Sequence, residues 1–450
     1  MSDEARLVLE RCDALAAVSS SPTGIERVYL SPEHARVNAM AGEWMRRAGM
    51  TTWQDAAGNQ RGRYEGTEPG LPALLLGSHL DTVPDAGRYD GILGVLLGIA
   101  LVARLEASGT RLPFAIEVLA FGDEEGTRFG TALLGSRAVA GTWLPEWWSL
   151  ADASGTTLRE AFVAFGLDPD RVGEAAYEPA DVIGYLETHI EQGPYLEEAD
   201  RALAVVSSIA GARRFELTLT GVAGHAGGVP FHRRHDALAG ASEIVLAVER
   251  LAREADCIAT VGRLQAFPGG VNVIPGLVEF SLDLRGEHDD RRDEVWAGIQ
   301  AVAAEVGERR GLTLSVDETH RAPAVVASPR LRGFVRDGIV ATGDTDPMVL
   351  FSKAGHDAMA VAELTGWAML FVRCGNGGIS HHPDEIVSID DVAVALDAFE
   401  AAVHAVAAAH PAQAQAQAQS QAQAQSQAQA QAQAQAQVQV QARPQTQAPA

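Results

Sequence analysis

Three short, almost continuously apolar runs set the architecture of this chain: 71–77 (LPALLLG), 114–121 (FAIEVLAF) and 367–372 (WAMLFV). A strand without polar alternation has both faces covered, as happens inside a largely parallel sheet flanked by helices. Helical patterns fall between and after these runs, over 92–105 and 392–409. Strand and helix alternating in this way predict an α/β fold.

Residues 213–321 follow a different rule. The stretches 215–220 (FELTLT) and 278–283 (VEFSLD) alternate apolar and polar, as half-exposed strands do, and long helical patterns follow each, over 235–253 and 291–310. That pattern predicts a small α+β unit set into the larger one. The expected organisation is a larger α/β domain from 1–212 and 322–410 with an insert at 213–321. From 411 to 450 the chain is almost entirely Ala and Gln, with Arg443 its only charge. Those side chains bury too little apolar surface to offset the entropy of ordering, so the segment reads as a disordered tail with some tendency to aggregate.

At 450 residues the chain exceeds what one core usually serves, in keeping with two folded units. The net charge of −24 repels nucleic acid and anionic membrane surfaces, and a small anionic substrate needs local arginine or metal to be held. Cys12, Cys257 and Cys374 form no CxxC pair, which fits a reducing compartment. The acidic N-terminus has no basic, then apolar, leader pattern, and no run of eighteen apolar residues occurs. The expectation is a soluble cytoplasmic protein.

Titratable residues gather where strands end. His79 and Asp81 in GSHLDT face the same way in extended chain, an arrangement suited to a metal-binding imidazole steadied by a carboxylate. Asp90, in RYDGILG, stands at the start of the 92–105 helix and reads equally as a helix cap or as a bridging carboxylate. Asp123, Glu124 and Glu125 are three consecutive carboxylates that repel one another unless solvated or neutralised by a cation. His189 (LETHIEQGP) and the pair His381–His382 (GISHHPDE) follow further strands. The carboxyl ends of strands are where open α/β sheets build their sites.

In order, GSHLDTV, YDG, DEEGTRFG, HIEQGP, GHAGGVP, GGVNVIP, AGHDAMA and GISHHPDE resemble the aminoacylase-type di-zinc metallopeptidase superfamily. Within it, HIEQGP and GHDA resemble the branch of allantoate amidohydrolases and N-carbamoyl-L-amino acid hydrolases. The likeness runs from about Arg6 to His410. It implies two divalent metal ions per subunit, Zn²⁺ or Mn²⁺ with Co²⁺ as a further candidate, held by His79, Asp90, Glu125, His189 and His381, with Asp90 between them. It implies Glu124 as general base and His225 as the group that stabilises the developing oxyanion, reaching the site of a partner subunit. Asn272 and Arg285 would bind a substrate carboxylate, while Gln192, Gly355 and His356 would line a ureido pocket. The insert would serve as lid and homodimer contact.

The implied reaction is hydrolysis of a ureido C–N bond. Allantoate is the leading substrate, giving ureidoglycine, ammonia and carbon dioxide. N-carbamoyl-L-amino acids come next, and dipeptides or acyl amino acids follow. One departure bears on the substrate: where relatives carry threonines and methionine after HAG, this chain reads Gly227-Gly228-Val229-Pro230-Phe231. His232, His235, His288 and His320 match no ligand motif and read as surface residues. Gly91, Gly94 and Gly98 lack the GxGxxG spacing of a dinucleotide site, and no GxSxG elbow occurs.

Overall fold

The computed structural model describes residues 3–410, so the Ala/Gln segment lies outside the described residues. A nine-stranded mixed sheet runs in the order Thr51–Gln54, Gln60–Tyr64, Ala115–Phe121, Ala73–His79, Val182–Ile190, Trp367–Val372, Leu203–Ile209 and Val325–Val326. Met348–Ser352 also pairs with Leu203–Ile209, in parallel. The four strands from Ala115–Phe121 to Trp367–Val372 are mutually parallel.

The continuous apolar runs are explained by what covers them. In Ala73–His79 every residue is buried. Leu74 and Leu76 point into one core with the helix Ile92–Ser108, while Ala73 and Leu75 point into another on the opposite face with Tyr185 and Trp367. The helix Ile92–Ser108 is apolar around nearly its whole girth and is buried accordingly. Gly94 lets it approach closely: a Cβ there would lie 2.0 Å from the carbonyl oxygen of Thr188.

The helix Ile389–His410 is the one helix among the described residues long and apolar enough to cross a membrane, and 44% of that apolar window is buried. Val392, Leu396, Phe399, Val403 and Val406 pack into the core beside Ile92–Ser108.

A second, antiparallel sheet is formed by Leu264–Phe267, Leu277–Gly286, Gly211–Thr220 and Thr313–Ala322, with Ile258–Thr260 paired to Leu277–Gly286. Alternate residues of the two central strands are buried, and the helices Ala237–Glu254 and Asp289–Arg310 complete a separate core with Phe215, Phe280 and Trp296. The expected alternation is thus present. Only Ala210 separates Leu203–Ile209 from Gly211–Thr220, and the chain returns beside its exit, Ala322 pairing with Ala212.

Candidate metal centre

The parallel strands bring their chemistry to one rim. His79 ends its strand opposite Phe121, after which the chain turns through Gly122 and Asp123 (φ +64°) into Glu124 and Glu125. His189 lies opposite Phe371, and the loop after Trp367–Val372 delivers His381 with φ +53°. Asp90 does not cap its helix. Gly91 occupies the cap position without a side-chain bond, leaving Asp90's carboxylate free to face the rim.

Donor atoms of His79, Asp90 and His189 lie within 4.8 Å of one another, and so do those of Asp90, Glu125 and His381. Asp90 belongs to both sets. Its Oδ1 is 3.3 Å from His189 Nε2 and its Oδ2 is 3.1 Å from His381 Nε2, while Glu125 Oε1 lies 3.5 Å from His381 Nε2. Donors of His79, Glu124 and Glu125 form a third such set. His381 is half exposed, so the cluster opens to solvent on that side.

Carboxylates remote in sequence fix these groups. Asp81 contacts His79 Nδ1 through its backbone carbonyl oxygen at 3.1 Å and through its carboxylate at 3.6 Å, and that carboxylate also accepts the backbone N–H groups of Glu124 and Glu125, each at 3.1 Å. Glu385 accepts the N–H groups of Tyr89 and Asp90, at 2.8 and 3.2 Å, and the Ser380 hydroxyl at 2.7 Å. Glu187 accepts from Ser78, Tyr185 and the Ala358 N–H. Sequence reading passes over Glu187 and Glu385, whose partners lie up to 296 residues away.

Gly91 leaves no room for a side chain. Its φ is +71°, and a Cβ would come within 2.3 Å of His79 Nε2. Gly91→Ala is therefore expected to displace His79 and cost about 10- to 100-fold or more in metal affinity, as loss of ligand orientation does. Metal titration of the purified variant checks this.

Charge makes the rim a cation site in waiting. Burial, then Glu125, pushes the Glu124 carboxyl well above its ordinary range. Burial, then Asp90, raises Glu125 to about 8. Burial also works against ionised Asp90, but the His381 hydrogen bond and the neighbouring His189 and His79 outweigh it and hold it low. The bond to Asp90 raises His381 to about 9. Burial lowers His189 to about 4, a neutral imidazole whose buried Nε2 has no hydrogen-bond partner. A neutral ring nitrogen aimed at crowded carboxylates is what a divalent cation coordinates, and mixed nitrogen and oxygen donors suit Zn²⁺ or Mn²⁺. The residues present fit such ions.

A cavity of about 610 Å³ rises from the rim toward the second sheet. Gln192, Arg285 and Gly355 line it. The Gln192 amide donates to Asp90 Oδ2 at 3.0 Å and to Ser380 at 3.1 Å. Arg285 forks onto Asp283 and donates to the Lys353 carbonyl at 2.7 Å.

Two expectations change. His356 is buried outside the cavity lining, its ring centroid 4.4 Å from that of His189 and its Nε2 2.7 Å from Ser352 Oγ, because the strand end folds it under the rim. His320 is exposed, as its sequence reading expects, and it also lines the cavity, since strand pairing sets it opposite Arg214, which lines it too. His235 is half buried, with Nδ1 2.8 Å from the carbonyl of Arg310. His232 and His288 are exposed, as is His382 beside Asp384. His225 and Asn272 are also exposed and outside the cavity lining of their own chain, joined by an Ala226 N–H bond to the Asn272 carbonyl.

The sequence profile described as peptidase family M20/M25/M40 matches residues 75–405. The chain belongs to that family. It is 41% identical over 374 residues to an N-carbamoyl-L-amino-acid amidohydrolase of Pseudomonas sp. (strain NS671), covering 82% of this chain and 90% of that one. It is 40% identical over 416 residues to a probable allantoate deiminase of Oryza sativa subsp. japonica, covering 85% and 84%. Among solved structures, a hydantoinase/carbamoylase family amidase from Burkholderia multivorans superposes with a TM-score of 0.82 at 31% identity, covering 88% and 96%. Membership in M20/M25/M40 makes the chain a hydrolase, and its rim gathers residue groups that could hold metal ions.

Proposed function

We propose that this M20/M25/M40 member is a two-metal amidohydrolase that cleaves a ureido C–N bond in a small anionic substrate. The carrying observation is Asp90, which turns one oxygen to each of two candidate ligand sets, beside a buried Glu124 at the foot of a cavity. His79 and His189 would hold one Zn²⁺ or Mn²⁺, Glu125 and His381 the other, and Asp90 both. When bound, such a pair supplies Lewis acidity and an attacking water acidified to near-neutral pH.

The chain's own groups do the rest. Glu124, lifted by burial and by Glu125, accepts a proton from the attacking water and returns it to the departing nitrogen. Asp81 fixes its backbone and so its aim. Arg285 orients the substrate carboxylate, exchanging its fork from Asp283. Gln192 and Gly355 bound the ureido group.

The second sheet with its helices, residues 213–321, acts as an inserted lid and dimer contact. Its exposed His225 and Asn272 fit a role across a homodimer, in a partner's site, and Val222, Phe231 and Val271 nearby are exposed apolar residues suited to that contact. A fully active monomer in sedimentation would remove His225 from the reaction. Three free cysteines suit a cytoplasmic setting.

Allantoate and N-carbamoyl-L-amino acids are the two substrate readings, and the relatives support both. Assay of the Mn²⁺-loaded enzyme on allantoate, N-carbamoyl-L-amino acids and dipeptides should give ammonia from the ureido compounds. Preference for dipeptides would reject the reading.

A further inference from the structure

The chemistry above leaves Lys353 without a task. It is the chain's single lysine; every other one of its 35 Lys and Arg residues is arginine. It follows the strand Met348–Ser352 and lines two cavities at once, the main one and a neighbour of about 410 Å³.

The charges around it are arranged unequally. Arg214 and Arg285 in the same wall both bond Asp283, so their cationic groups already face a carboxylate. Arg137 lies over Trp147. The Lys353 ammonium sits 3.7 Å from the centroid of the Tyr195 ring and donates to the Tyr195 hydroxyl, with no carboxylate at ion-pair distance among the described residues. Glu191, the nearby acid that senses its charge, is occupied by the backbone N–H groups of Tyr195 and Leu196. Lysine offers a compact charge with three rotatable donors, which suits an oxygen approaching from no fixed plane.

Its position is also tied to the reacting end. The Lys353 carbonyl accepts from Arg285, and the next residues run through Gly355 to His356, which packs on His189. The backbone that carries the ammonium is thereby anchored beside the candidate metal-binding rim.

We propose that Lys353 is a specificity-determining residue: its ammonium receives an oxygen on the arm of the substrate that is not hydrolysed. The favoured substrate then carries a carbonyl- or carboxylate-terminated arm where an apolar side chain would otherwise lie. This rests on the ureido-hydrolase reading. The same oxygen chemistry can come from a second ureido group, as in allantoate, or from an acidic side chain, as in N-carbamoyl-L-glutamate.

The test compares kcat/KM of the parent, Lys353→Met and Lys353→Arg on allantoate, N-carbamoyl-L-glutamate and N-carbamoyl-L-leucine. In Lys353→Met the ratio of an oxygen-armed substrate to the leucine compound should fall about 10- to 100-fold, the worth of one charged hydrogen bond, mainly through KM. Lys353→Arg should restore most of it. A fall confined to allantoate identifies the second ureido group, and one confined to the glutamate compound identifies the acidic arm. Ratios that stay within about twofold for both overturn the proposal.

A binding readout runs in parallel. In a Glu124→Gln background, where substrate persists, acylation of the single lysine is followed by mass spectrometry. Oxygen-armed substrates should protect it and the leucine compound should not; equal protection by all three overturns the proposal as well. A parent enzyme that releases no ammonia from any ureido compound would defeat the functional reading itself, a result visible before any variant is compared.

Discussion

Glu124→Gln is expected to lower turnover by about 10²- to 10⁴-fold, the span that general acid–base groups contribute, while metal content stays at the parental level. The amide keeps the volume of the carboxylate, and the backbone bond to Asp81 that aims it does not involve the side chain. What disappears is the capacity to take a proton from water and return it to nitrogen. Ammonia release and metal analysis on the same preparation separate the two properties. Since Glu124 also lies within ligand distance of His79 and Glu125, loss of metal in the variant would make it a ligand instead, and near-parental turnover would remove it as the base.

Asp90→Asn should have the second large effect. One oxygen of Asp90 faces His189 and the other faces His381, so losing its charge weakens both candidate sites together. Outer partners of a metal ligand are worth about 10- to 100-fold in affinity, and a shared ligand should exceed that. Equilibrium dialysis should show both ions lost in parallel and turnover gone with them. One ion per chain retained at parental affinity would show that Asp90 serves a single site.

Strands covered on both faces announce themselves in the sequence because nothing polar interrupts them, and Trp367–Val372 has the expected bounds. Val182–Ile190 is harder to read, since the polar residues Glu187, Thr188 and His189 are buried there and break up its apolar run. Short pieces of the second sheet, such as Ile258–Thr260, carry too few residues to show a period. At the site, the ambiguity of Asp90 could not be settled locally: a cap and a ligand need the same residue in the same place, and only the backbone at Gly91 decides between them.

Glu385 and Glu187 are invisible to spacing arguments because they act on backbone N–H groups brought close by the fold. His320 went unrecognised for a related reason. Its relevance comes from a cross-strand neighbour, Arg214, more than a hundred residues earlier.

Between the two sheets the polypeptide crosses twice, side by side, at Ala212 and Ala322, and both alanines together with Ala210 form part of the cavity wall. Two adjacent backbones joined by ladder bonds resist torsion far more than they resist flexing about the line through them. A junction of this kind would confine any flexure between the two sheets to an axis through the cavity wall. Bulk added at any of these alanines would take its room from the same cavity.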